Sequence, residues 1–434
     1  MKINEKNLSN ERHLLEEKFY RLYLIGFFVI LTLPLVNLPP WFSPPDWGKT
    51  IVFRVVMSIL IFIFLHQFFF NQLFRSRFLA IGKNVLRREN KVFWCFWLFV
   101  ALFVFFFLAT IFSLDIKFSL WGSPSRSGGF ANFALYFIFS LLVFFVVKEK
   151  DWNKIWNFAI IIGCLEAVIA IFQQYGILRQ FFIYSPTMLP GTIGGPSFLG
   201  LYLLLLGFIN LGFAIIKKQW QGKVFHLAVF FLFSFVIFLT ISQAINLALG
   251  LGFLYFLFFY PLRREQPFYK KLILIKVLIG IVFILAVAGI LFLQAHPENP
   301  LRQNAVIYSL TSWGIDQSRI SAWKVSLNAI KDRPVLGYGP ENFSIGFDRF
   351  YDPALPQIQN DPYLYSSWWD RAHNFIFDIG VSAGVPALII YLLLFGVLFW
   401  QLVTTLLTKI FSRHCQIQRI QSRWDWEPLE PNLV

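Results

Sequence analysis

The chain has 434 residues, 57% of them hydrophobic and only 14% charged, with 55 Phe and 15 Trp. That balance excludes a soluble globular protein, whose charged share is about 25%, and points to a polytopic membrane protein. The formal charge of +15 would suggest nucleic acid in a soluble chain. Here the basic residues gather in short segments between apolar runs, where they read as topology signals and headgroup contacts, so the expected partner is the lipid bilayer and not nucleic acid.

The first 20 residues are polar and charged without a small-residue cleavage site, so the first apolar run reads as a retained span. Taking about 20 apolar residues per crossing, ten spans are expected at 21–38, 51–70, 92–113, 130–147, 155–175, 196–216, 224–241, 243–260, 273–294 and 385–407. The seventh and eighth are nearly continuous across Thr240-Ile241-Ser242-Gln243. With the N-terminus inside, the inner segments carry 25 Lys and Arg against five in the short outer ones (Lys49, Arg54, Lys117, Arg126, Arg179), so both termini are expected in the cytoplasm. The expected fold is therefore all-α, with about nine spans in 1–294, a long outer segment with amphipathic helices at 295–384, and a last span and cytoplasmic tail at 385–434. Cys95 and Cys164 fall in apolar runs and Cys415 in the tail, so neither a disulfide nor a metal spacing is expected.

That outer segment is the only long polar stretch. Arg319 heads an amphipathic pattern whose apolar stripe is Ile320, Trp323, Leu327 and Ile330, and Asp332-Arg333-Pro334 stops the helix. Gly337 and Gly339 allow a tight loop, and a polar, aromatic-rich stretch through Tyr363, Tyr365, Trp368 and Trp369, suited to the membrane interface, leads to His373-Asn374 at the start of a new helical pattern. Three further loops share the outer face: Trp121 to Gly129, Gly191 to Pro196, and Ser242-Gln243.

The order R-x-x-x-W, D-R-P-x-x-G-x-G-x-x-x-F, A-H-N-x-x-x-D-x-x-x-x-x-G resembles the signature of the bacterial O-antigen ligase and polymerase superfamily of membrane glycosyltransferases. The resemblance implies transfer of a glycan from a polyprenyl diphosphate lipid to a glycan or lipid acceptor at the outer face of the cytoplasmic membrane. In it Arg126 matches the outer-loop arginine and His373 the essential histidine, and Gly191, Gln243, Gly339 and Asn374 fall at substrate-binding motifs. It departs from the family at Gln243, where an arginine is common. Glutamine donates hydrogen bonds but supplies no charge, so either Arg179 or Arg371 compensates or donor binding differs. An acidic position near the final glycine is also replaced, by Ser382.

The chemistry suits these residue types. A diphosphate leaving group is already a stable anion, so it needs cationic donors more than a general acid, and an arginine fork binds phosphate oxygens bidentately. Arg126 and Arg319 are the candidates for this role, against plainer readings as a headgroup anchor and a surface ion pair. An imidazole can take the acceptor hydroxyl proton near neutral pH. His373 is thus the candidate base, with Asn374 and Asp378 as orienting neighbours. No D-x-D or H-E-x-x-H occurs in the outer segment, so no metal or other cofactor is expected. Two readings compete: a transporter of a small anion or solute, for which the intramembrane Glu166 would be a pathway residue, and an inactive scaffold of a glycan assembly complex. A structural polar contact is the plainer role for Glu166.

Overall fold

Phenylalanine- and leucine-rich runs cannot leave peptide groups unpaired in lipid, and helices satisfy them within the segment. The computed structural model describes residues 5–37, 45–123, 127–177, 189–259, 269–304, 307, 311, 317–352 and 369–424. Among them every regular element is helical: α1 (Glu5–Leu31), α2 (Pro45–Phe70), α3 (Gln72–Val85), α4 (Phe93–Ile111), α5 (Ile116–Trp121), α6 (Phe130–Val146), α7 (Trp152–Tyr175), α8 (Pro196–Ile216), α9 (Trp220–Leu239), α10 (Gln243–Phe259), α11 (Tyr269–Ala295), α12 (Gln317–Asp332), α13 (Phe343–Arg349) and α14 (Phe375–Trp424), with short 3-10 turns between some of them.

Seven of these helices are long and apolar enough to cross a membrane, so the chain is a multi-pass membrane protein. The fourth and eighth expected spans lie on the shorter apolar helices Phe130–Val146 and Gln243–Phe258. The first falls on the second half of α1, whose first half is polar. The near-continuous seventh and eighth runs are separate helices, parted at Thr240 to Ser242, where Ile241 takes φ +55°.

Two compact units form. The first consists chiefly of Met1–Leu65 and Phe139–Asp316. Its core stacks α7, α8 and α9: Ala159, Gly163, Ala167 and Ala170 line one face of α7, small enough to let the helices approach, and Leu199, Leu203, Leu206, Phe233, Val236 and Ile237 fill against them. A polar pair inside it, His226 Nδ1 and Asn210 Oδ1 at 2.6 Å, keeps both groups bonded away from water.

The second unit consists of His66–Ser123, Gly128–Ile138 and Gln317–Val434. In it α4 and α6 stack phenylalanines, Phe99 and Phe103 on Phe137 at 4.6 and 4.3 Å and Phe106 on Phe133 at 4.6 Å. Leu102 and Ala109 of α4 meet Ala383 and Ala387 of α14.

Helix α14 is two helices joined at Gly384, which has φ +83° and ψ 172°. Pro386 has no N–H to offer the Ser382 carbonyl, so the break leaves carbonyls without their usual donors. The loop after α12 supplies them: Tyr338 N–H donates to Val381 O at 2.7 Å and Gly339 N–H to Ser382 O at 2.9 Å, while Val385 N–H donates to Pro334 O at 2.8 Å. A Cβ at Gly384 would meet the Val335 carbonyl carbon at 2.4 Å, so glycine is required on both conformational and steric grounds.

The stripe expected on α12 holds at Trp323 and Ile330, which are partly buried against the core, and is corrected at Leu327. Leu327 is 45% exposed, whereas Ala322, Val325, Ser326 and Ala329 are buried against Tyr338, Phe343, Phe347 and Val381. Reading the large apolar residues alone as the stripe placed Leu327 wrongly and left out the small residues that the close approach of neighbours also buries. Leu327→Ala is therefore expected to change stability by no more than about 0.5 kcal/mol, and Val325→Ala to cost on the order of 2 kcal/mol. Thermal unfolding of the two purified variants checks this ranking, and a larger loss at Leu327 would reverse it.

Candidate functional site

The turn before α14 carries His373 at φ +50°, a left-handed conformation uncommon for a residue with a side chain and one of four such cases among the described residues. It persists because both neighbours are fixed through the backbone. The Trp323 indole N–H of α12 donates to the Ala372 carbonyl at 3.1 Å, and Ala372 N–H donates to Asp378 Oδ1 at 2.7 Å. On the other side Asn374 Oδ1 accepts the Ile376 N–H at 3.1 Å and its carbonyl accepts the Asp378 N–H at 2.9 Å, which makes it the cap of α14. The imidazole itself is exposed, with the Trp369 ring edge-on at 5.2 Å between centroids. Asp378 thus orients the histidine's backbone turn, while its carboxylate in the first turn of α14 also suits the helix dipole.

Arg319 is exposed in the first turn of α12, one turn before Trp323, and Trp323 stacks on Phe377 at 5.8 Å. The R-x-x-x-W spacing therefore puts the arginine on the same helix face as the tryptophan that holds the histidine turn. Gly339 lies in the loop that pairs with Ser382 and packs against Ser113 and Ser119. Beside it the buried Tyr338 hydroxyl donates to Asp332 Oδ2 at 2.8 Å, an oxygen that Arg349 also reaches at 2.9 Å. Burial, reinforced by that carboxylate, pushes the Tyr338 phenol up to about 12, so it stays a donor.

The second unit also holds a group with no local sequence signal. Glu341, at φ +63° and with its side chain 6% exposed, forms an ion pair with Arg371. A Cβ at Gly128 would meet Arg371 Nη2 at 2.8 Å and fall closer still to Glu341 Oε1, so the pair needs glycine there. Arg371, a candidate to replace the charge missing at Gln243, is already paired with a carboxylate. Glu341, Asp370, Arg371, Asp378 and Ser382 line one small cavity, closed on its apolar side by Phe106, Phe343 and Ile379.

Of the expected site residues, Arg319, Gly339, His373 and Asn374 lie in the second unit. Gly191 and Gln243 lie in the first, while Arg126 and Arg179 fall outside the described residues. Gln243 is exposed at the start of α10, next to Ser242, whose hydroxyl lies 3.3 Å from that of Ser197. The Gly191 carbonyl accepts from Gln173 Nε2 at 3.1 Å. The adjoining Thr192 explains Glu166. That fully buried carboxyl accepts the Thr192 N–H at 3.2 Å and shares the Thr192 hydroxyl with the Pro34 carbonyl, while Lys49 donates to the Thr192 carbonyl. Glu166 therefore anchors the loop before α8, the structural polar contact among its two readings.

The fold and site define a multi-pass membrane protein that displays a histidine on a strained, doubly fixed turn, within a polar segment between apolar helices. Residues 228–392, which contain that segment, match the family model described as O-antigen ligase. The match, over that part of the chain, and the ordered motifs support a likeness to the O-antigen ligase and polymerase superfamily. Such a match implies a glycosyltransferase-like enzyme of the ligase or polymerase kind that is embedded in the membrane. No curated protein matches the chain.

Proposed function

We propose that the protein transfers a glycan from a polyprenyl diphosphate lipid to an acceptor hydroxyl at the outer face of the cytoplasmic membrane, without a metal and with inversion at the anomeric carbon. The observation that carries this reading is the His373 turn: an exposed imidazole held at φ +50° by backbone bonds to Trp323 and Asp378, inside the segment that matches the ligase family. Backbone strain retained around a reactive side chain is a mark of preorganisation.

In the proposed step the acceptor oxygen attacks the anomeric carbon, its proton passes to an imidazole nitrogen of His373, and the bond from that carbon to the phosphate oxygen breaks. The polyprenyl diphosphate leaves as an anion on the guanidinium groups of Arg126 and Arg319. Because the departing group is stable as an anion, the cations replace both a general acid and a metal. Purified protein in liposomes, supplied with a polyprenyl diphosphate glycan, an acceptor and a chelator, tests the reading. Glycosylated acceptor is expected, and its absence unless divalent metal is added sinks the metal-independent mechanism.

The outer-face assignment rests on the charge asymmetry and makes its own prediction. Asp352→Cys is expected to react with a membrane-impermeant thiol reagent in intact spheroplasts, and Cys415 only after permeabilisation. Labelling of Cys415 from outside would invert the orientation and remove the outer lipid donor with it.

A further inference from the structure

We propose that Glu341 is a positioning residue for the base: through Arg371 it pins the chain just before His373 and so holds the imidazole where the acceptor hydroxyl is deprotonated. The proposal rests on the transferase reading above and adds to it a residue that stands at an unspecified position of the ordered motifs.

The need for an anchor comes from the backbone. Residues 370–374 belong to no helix, so no helical ladder fixes them, and His373 is kept at φ +50°. The Trp323 indole and the Asp378 carboxylate hold the carbonyl and the N–H of Ala372. Both of those bonds fall on a single residue. The ion pair of Arg371 with Glu341 adds an anchor one residue earlier, where the chain enters the turn.

The anchor is built to be stiff. Tyr338 N–H donates to Val381 O at 2.7 Å and Gly339 N–H to Ser382 O at 2.9 Å, which sews the preceding residues into the break of α14. On the other side the fully buried Asn342 donates to the carbonyls of Asp115 and Tyr338, both at 3.1 Å. Glu341 therefore stands between fixed neighbours. It is itself held at φ +63°, with its side chain 6% exposed and glycine at position 128 leaving room for the pair, a placement that costs more than a solvated surface pair would. A hydrogen bond between a carboxylate and a guanidinium is directional as well as charged. Arg371 is the looser partner at 41% exposed, so the loop sets where the arginine lies and, through it, where the histidine turn begins.

Two measurements test the proposal on Glu341→Gln, Arg371→Met and the double variant: steady-state transfer in liposomes, and the side-chain NMR signal of His373 in histidine-labelled protein, assigned by its loss in His373→Ala. Each single variant is expected to lower kcat about tenfold, less than a full ångström of misplacement would, with the acceptor KM within about twofold and the His373 signal shifted. Because Glu341 acts through Arg371, the double variant is expected to lose no more than the worse single one. The double variant leaves no charge unpaired, so its kcat and His373 signal decide if a single variant lowers the unfolding midpoint sharply. Parent-like kcat with an unmoved His373 signal, a loss confined to KM, or losses that multiply in the double variant overturn the positioning role. A shifted His373 signal in a protein that transfers no glycan would overturn the transferase reading alone, whereas transfer by variants that behave like the parent would overturn the positioning role alone.

Discussion

Replacing His373 by alanine is expected to lower glycan transfer by about 10²- to 10⁴-fold, the range lost when a positioned general base is removed, while membrane level and thermal unfolding stay near those of the parent chain. Both halves follow from the geometry. The bonds that hold the turn run through the Ala372 carbonyl and N–H and through the Asn374 side chain and carbonyl, and none of these changes in the variant. The imidazole is exposed, so removing it opens no cavity and leaves no buried polar group unpaired. Transfer in reconstituted liposomes and a thermal melt of the same preparation check the two halves separately. Parent-like turnover would remove His373 from the mechanism, and a collapsed melt would make it a structural residue.

The helices were legible because apolar runs of about 20 residues have one stable form in lipid. The polar segment was legible as motifs but not as a structure. Its glycines at 337 and 339 marked a loop, yet the pairing of Tyr338 N–H with the Val381 carbonyl joins that loop to a break in the helix far along the chain and leaves no side-chain pattern. Pro386 was the available signal, since a proline there deprives the Ser382 carbonyl of its donor. Glu341 was missed for a similar reason: its partner Arg371 is 30 residues away and neither sits in a periodic pattern. Leu327 on α12 shows the limit of size as a guide to burial, because the close approach of helices buries alanine and serine while Leu327 stays out. Glu166 stood out as an intramembrane carboxylate, but its partner lay in a glycine-rich loop that reads equally well as a substrate loop. Only the bonds to Thr192 distinguish an anchor from a pathway residue.

Replacing Arg126 or Arg319 by lysine keeps the charge but loses the planar fork, and each is expected to lower transfer about tenfold to a hundredfold, equivalent to roughly 1–3 kcal/mol of transition-state binding. Arg319 is exposed in the first turn of α12, so the lysine variant changes what the helix presents and leaves its packing alone. Glu166→Gln is expected to keep transfer within about threefold, since a buried hydrogen bond survives when its acceptor is conserved. The carboxamide oxygen still accepts the Thr192 N–H, its amino group can donate to the Thr192 hydroxyl, and that hydroxyl can go on donating to the Pro34 carbonyl at 2.7 Å. A transporter would show the reverse order, with solute uptake sensitive at Glu166 and tolerant at both arginines. Transfer and uptake measured on the three variants, with chelator present throughout, separate the two. Loss confined to Glu166→Gln would sink the proposed mechanism, and so would unchanged transfer in both lysine variants, because a diphosphate held by guanidinium forks cannot be indifferent to losing them.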